Sequence, residues 1–165
     1  MLLASPADML LAFGHLEVDE LTRPHAYARD GEDMTPEEEA DARAEILNSA
    51  LERASGEAAS YLAARYPVFA RPALPDGAGL PSALVSAVCD IARYRLTGAG
   101  TVETDPIVER YKWAICWLKD IAAGKASLLI TLPEGEEEEP AGSGDVSISP
   151  GTRDWASNGT SGDDE

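Results

Sequence analysis

The sequence is poor in the features that mark membrane proteins, disulfide-stapled proteins and most enzymes. No apolar run in its 165 residues approaches the roughly 18–20 needed to cross a bilayer, which excludes a helical span. The N-terminus has no basic segment leading into a long apolar core, so a secretory leader is not expected. Two cysteines, Cys89 and Cys116, cannot make a disulfide framework. The two histidines, His15 and His25, lie in an acidic stretch without further ligands at metal-binding spacing, and read as exposed loop residues. Bases are scarce: 13 against 30 acids, for a formal net charge of −17. A free phosphate backbone would be repelled by most of such a surface. These absences leave a soluble intracellular protein of single-domain size, with a stretch to spare.

The charge is unevenly spread. Residues 17–45 hold eleven acids and three bases, residues 46–132 hold eight acids and nine bases, and residues 133–165 hold ten acids and only Arg153. A nearly neutral body carries two acidic segments. Like-charged blocks of this kind stay solvated and serve as interaction tails.

Four helices are legible in that body. Ser5-Pro6 caps and starts the first, Met9, Leu10 and Phe13 give it an apolar face, and Gly14 stops it. Residues 15–34 look irregular, anchored by Leu16, Val18 and Leu21. Thr35-Pro36-Glu37-Glu38 is a capping box that opens a long second helix, running to about Arg65. Its stripe of Ala40, Ala44, Leu47, Leu51, Ala54, Ala58 and Tyr61 is narrow and alanine-rich, so another helix can approach closely. Tyr66-Pro67 ends it. A loop with three prolines and two glycines follows over 67–80. The third helix starts at Pro81 and presents Leu84, Val85, Val88, Cys89, Ala92 and Leu96. The fourth starts at Asp105-Pro106, with Val108, Tyr111, Ile115, Leu118 and Ala122 inward and Gly124 as its C-terminal cap. Leu128–Leu132 is a strand or an extended arm. Beyond Pro133 the composition turns to Glu, Gly, Ser, Pro and Asp, the signature of disorder in isolation. The expected fold is all-α: a small bundle of about four helices with a long second helix and an extended C-terminal arm. The expected division is a helical domain at 1–132 and an acidic tail at 133–165.

No catalytic constellation is visible, so an enzyme is not expected, nor is a cofactor or metal. Cys89 sits on an apolar face and reads as a small core residue. A nucleophilic cysteine needs a histidine beside it, and neither histidine has a context that suggests pairing. Gly124-Lys125 fails as a phosphate loop, because Ala126 stands where Ser or Thr is required and Lys119 where the first Gly is required. Asp90 and Arg93 are neighbours at i,i+3 and can pair. Arg93 and Arg95 point to different sides, so at least one is free for the loop, another helix or a partner chain, where arginine's forked geometry suits an interface.

Several strings resemble the Mu-like phage head–tail connector (adaptor) family: Ala63-Ala64-Arg65-Tyr66-Pro67, Asp90-Ile91-Ala92-Arg93-Tyr94-Arg95-Leu96, Arg110-Tyr111, and Trp117-Leu118-Lys119-Asp120-Ile121-Ala122-Ala123-Gly124-Lys125-Ala126-Ser127-Leu128. Ser5 to Leu10, Phe13-Gly14 and Glu20-Leu21-Thr22 resemble its N-terminus. The likeness covers about residues 3–132. Residues 28–39 depart from it as an acidic elaboration, and residues 133–165 lie beyond it. The resemblance implies a structural virion protein that forms a ring, typically of twelve copies, under the portal at the head–tail neck. It implies the portal and a tail-proximal connector or tail terminator as partners, and host cytoplasm as the place of assembly. The genome would pass through the ring without sequence-specific binding, and no membrane is involved.

A cyclic ring uses two different faces of each subunit. Candidate interface groups are Arg93, Arg95, Trp113, Trp117 and Trp155. The tryptophans of the fourth helix also suit a wide core face. Leu128–Leu132 and Val146–Ile148 are candidate strands for addition to a neighbour, with Trp155 as an anchor. The net charge supports an alternative, an acidic interaction module or DNA mimic that binds a basic partner.

Overall fold

In the computed structural model, residues 1–23, 35–97 and 105–133 are described. They form five α-helices: α1 (Pro6–Phe13), α2 (His15–Thr22), α3 (Pro36–Leu62), α4 (Ser82–Thr97) and α5 (Pro106–Ala122). The fold is all-α, as the sequence pattern indicates, with one more helix than that pattern reveals. The extra helix is α2, in the stretch expected to be irregular. Gly14, at φ 81°, ends α1 and starts α2 in one residue. Only Val18 and Thr22 of α2 are buried, and the Thr22 hydroxyl donates back to the Val18 carbonyl at 2.9 Å. Two inward residues in eight are too few to register as periodicity. Of the three expected anchors, Val18 is buried and Leu21 half-buried, but Leu16 is 88% exposed.

The helix starts follow their caps. Ser5 Oγ accepts from the Asp8 N–H at 3.3 Å, while the Ser5 N–H donates to Asp8 Oδ2 at 2.8 Å. Thr35 and Glu38 repeat this box at 3.3 and 2.9 Å. Hydrogen bonds from Ser5 hold the Asp8 carboxyl below its ordinary range, and those from Thr35 do the same for Glu38. Asp105 Oδ1 accepts from the Ile107 N–H at 2.9 Å to open α5. Gly124, at φ 78°, closes it by donating its N–H to the Ile121 carbonyl. Only glycine takes this left-handed conformation cheaply.

Helix α3 spans about 40 Å at 1.5 Å per residue and forms the spine. Leu47, Leu51, Ala54 and Ala58 are buried as its stripe predicts. Ala40 and Ala44 are exposed, because the first turns of α3 carry acids and lie outside the core. At the other end Leu62 takes the buried place expected of Tyr61, which is half-buried, and the helix stops three residues before Arg65. Helices α1, α2, α4 and α5 all pack on α3, and α1, α2 and α5 also pack on α4. The loop after α3 contributes a short 3-10 turn, Pro67–Ala70, that buries Val68 and Phe69.

Two polar side chains tie the segments flanking the helices to this core. Ser55 is fully buried and its Oγ accepts from the Leu3 N–H at 2.9 Å. The Tyr66 hydroxyl accepts from the Leu128 N–H at 2.7 Å. Past Leu128 the chain runs extended, and Thr131 exchanges two backbone hydrogen bonds with Gly79 in an isolated antiparallel bridge. Leu128–Leu132, read as a strand for a neighbour, is thus docked on its own domain through Leu128 and Thr131. Val146–Ile148 lies outside the described residues.

Replacing Ser55 by Ala strands a buried N–H, so Ser55→Ala should cost about 1–3 kcal/mol in urea unfolding. Tyr66→Phe should detach the arm first, seen as faster hydrogen exchange at the Leu128 amide with most core amides still protected.

Candidate interaction surface

The inward face of α5 is Val108, Ala114, Leu118 and Ile121. Tyr111, Ile115 and Ala122, placed inward by the sequence pattern, are half-buried at its margin. Trp117 is half-buried too and packs against the core, as a wide apolar face requires. Trp113 does not, and stands 71% exposed. One turn apart on α5, the two tryptophans border a groove of about 450 Å³ between α4 and α5. Ala83, Ser86 and Ala87 of α4 and Ala114 of α5 line it, and their small side chains leave it open. Asp90 and Arg110 also line it and pair across the helices at 3.4 Å.

The two candidate arginines do point to different sides. Neither joins the tryptophans. Arg93 turns to the α1–α2 hairpin, where it pairs with Glu17 and lies 4.6 Å from the centre of the Phe13 ring. Asp90 pairs with Arg110 in place of the expected Arg93. Sequence spacing favoured the i,i+3 neighbour, but packing put other partners closer. Arg95 turns to α3 and pairs with Glu57. Glu57 also accepts from the Tyr111 hydroxyl at 3.2 Å, and the Tyr111 ring stacks on Tyr94 with centroids 4.1 Å apart. Four side chains from α3, α4 and α5 thus form one node. Burial, and then the Glu57 charge, push the Tyr111 phenol above its ordinary value of 10.0. Arg95 also borders a second cleft, of about 350 Å³, with Glu45, Ile46, Ser49, Ala50, Arg53 and Leu96. Trp155 lies outside the described residues.

Sequence reasoning missed the apolar surface at the α1–α2 turn. Leu11 is 86% exposed and Leu16 88%, with Gly14 between them. The one available signal was that Met9, Leu10 and Phe13 already complete the inward face of α1, which leaves Leu11 on the other side.

Burial pushes the Cys89 thiol up to about 12, so it stays protonated near neutral pH. Cys116 is exposed. His15 is exposed as the first residue of α2, and His25 lies outside the described residues. Among the described residues no three His, Cys, Asp or Glu side chains gather as a metal site. Lys125 pairs with Asp120 at 3.3 Å beyond the Gly124 cap. Among the described residues no helix is long and apolar enough to cross a membrane.

The node gives a measurable outcome. Glu57→Ala should destabilise the domain by about 0.5–1.5 kcal/mol, since Arg95 and Tyr111 stay close enough to water to find other partners. Ultraviolet titration should show the Tyr111 phenol ionising at lower pH than in the parent, though still above its ordinary value because its burial remains.

No curated protein matches the chain. The family model described as Bacteriophage Mu, Gp36 matches residues 4–148, which takes in all five helices and the docked arm. The match reaches beyond residues 3–132, where the sequence strings alone carry the likeness. With most of its length covered, the chain belongs to the Bacteriophage Mu Gp36 family, a family of phage proteins.

Proposed function

We propose that this protein is a head–tail connector, an adaptor that forms a ring under the phage portal and joins head to tail. Its family is a phage family, which supports a structural or assembly role. The observation that carries the reading is Trp113, exposed beside an open groove on a domain whose other large side chains are mostly inward. An exposed tryptophan at a groove is the usual anchor of a protein interface. The role would be structural. Twelve copies would match the portal, with a second connector or tail terminator on the tail side. The protein would assemble in the host cytoplasm and reside in the neck of the virion. The genome would pass through the ring unread, since a net charge of −17 disfavours binding to its phosphates.

The net charge of −17 favours a second reading, an acidic interaction module or DNA mimic. Glu37, Glu38, Asp41 and Glu45 are exposed along the first turns of α3 and suit a basic partner. That reading predicts a tight one-to-one complex and no ring.

Mixing the purified protein with the portal of its phage and imaging by electron microscopy decides between them. A twelve-fold collar on the portal is the expected result. Absence of any association sinks the connector reading.

A further inference from the structure

We infer that the groove between α4 and α5 receives the α1–α2 turn of a second copy of this chain, with Leu11 and Leu16 as the inserted side chains. The inference rests on the ring reading above and names the two surfaces that would meet in it.

Three observations converge on that occupant. The α1–α2 turn carries a surplus of apolar surface: Met9 and Val18 already bury its inward face, while Leu11 and Leu16 project almost fully into water. The groove is the complementary shape, about 450 Å³ open among small side chains beside Trp113. The charges also match. Residues 6–22 hold Asp8, Glu17, Asp19 and Glu20 and no Lys or Arg. Residues 106–125 hold Arg110, Lys112, Lys119 and Lys125 against Glu109 and Asp120; with Arg110 paired to Asp90 and Lys125 to Asp120, a small basic excess remains on this face. An acidic turn would approach a surface with a basic excess, which favours this pairing over groove-to-groove contact.

The contact must come from another molecule. Within one chain α1 and α2 pack on α3 and α4, and not on α5. Turn and groove are different surfaces, so the contact is head-to-tail. Such a contact propagates until it closes into a ring or runs on as a filament.

Sedimentation velocity over a concentration series tests this with the full chain, Leu16→Asp and Trp113→Asp. Both positions are exposed, and circular dichroism should show the parent helix content. The milder Leu11→Ser/Leu16→Ser and Trp113→Ser replace any variant that does not fold. Wild type should self-associate with rising concentration, and each variant should weaken this about a hundredfold. An equimolar mixture of the two variants should give dimers and nothing larger, because the intact turn of one meets the intact groove of the other and both remaining surfaces are spoiled. Wild type that stays monomeric at the highest concentration overturns the inference. So does a folded variant that assembles like wild type, or a mixture that stays monomeric. Portal decoration, imaged separately, keeps the two readings apart. Self-association through these surfaces without portal binding removes the connector reading alone. Portal binding by a monomer whose assembly ignores both substitutions removes this inference alone.

Discussion

Close packing along one face of α3 sets the position of the other helices. Ala50, Ala54, Ser55 and Ala58 are all buried there, between Leu47, Leu51 and Leu62. Small side chains let neighbouring backbones approach, and a dense interface then follows with few large residues. Every other helix packs on α3, and the N-terminal segment is tied to it through Ser55. The same close approach brings Glu57 within reach of both Arg95 and Tyr111. A larger residue at Ala54 or Ala58 would move these contacts together, because a packed core transmits strain instead of absorbing it.

Packing also decides what remains for the surface. Arg43, Arg93, Arg95 and Arg110 each pair with a carboxylate of their own chain. These bonds cross between helices at Arg93, Arg95 and Arg110, so the pairs orient α4 against α2, α3 and α5. Half-buried pairs like these contribute modestly to stability individually. At Arg93 and Arg95 they also occupy the cations that the sequence offered as interface groups. Among the described residues, the large apolar side chains left exposed include Trp113 beside its groove, and Leu11 and Leu16 at the α1–α2 turn. Apolar anchors surrounded by charged residues are the composition of a protein-binding surface.

Legibility followed the range of the interaction. Caps were read correctly at Ser5, Thr35 and Asp105 because each involves residues within three positions of one another. Stripes were read well on α4, whose Leu84, Val88, Cys89, Ala92 and Leu96 are buried, because an inward helix face must repeat at three and four; Val85 is half-buried at its margin, and Ala87 and Ile91 widen the face. The errors came where length or distance defeated the pattern. Helix α2 is too short and too acidic to show a stripe. Ala40 and Ala44 continue the α3 periodicity beyond the buried core. The Arg95–Glu57 pair joins residues 38 apart, and no local signal foretells it. Of the candidate site, the sequence singled out Trp113 and Trp117 but misjudged Leu16, since one apolar residue in an acidic stretch gives no direction.

By itself the sequence determined an all-α protein with a long central helix, its starts and stops, its alanine seam, the acidic flanks and the family strings. Each of these is local or compositional, and secondary structure and charge follow from such terms directly. Only the tertiary structure decided which side chains are consumed inside the domain and which are left over. Arg93 and Arg95 pair with carboxylates of neighbouring helices. Trp113 and the leucines of the α1–α2 turn were left exposed. That division depends on where distant helices come to rest, and helix positions are fixed by packing across the whole core.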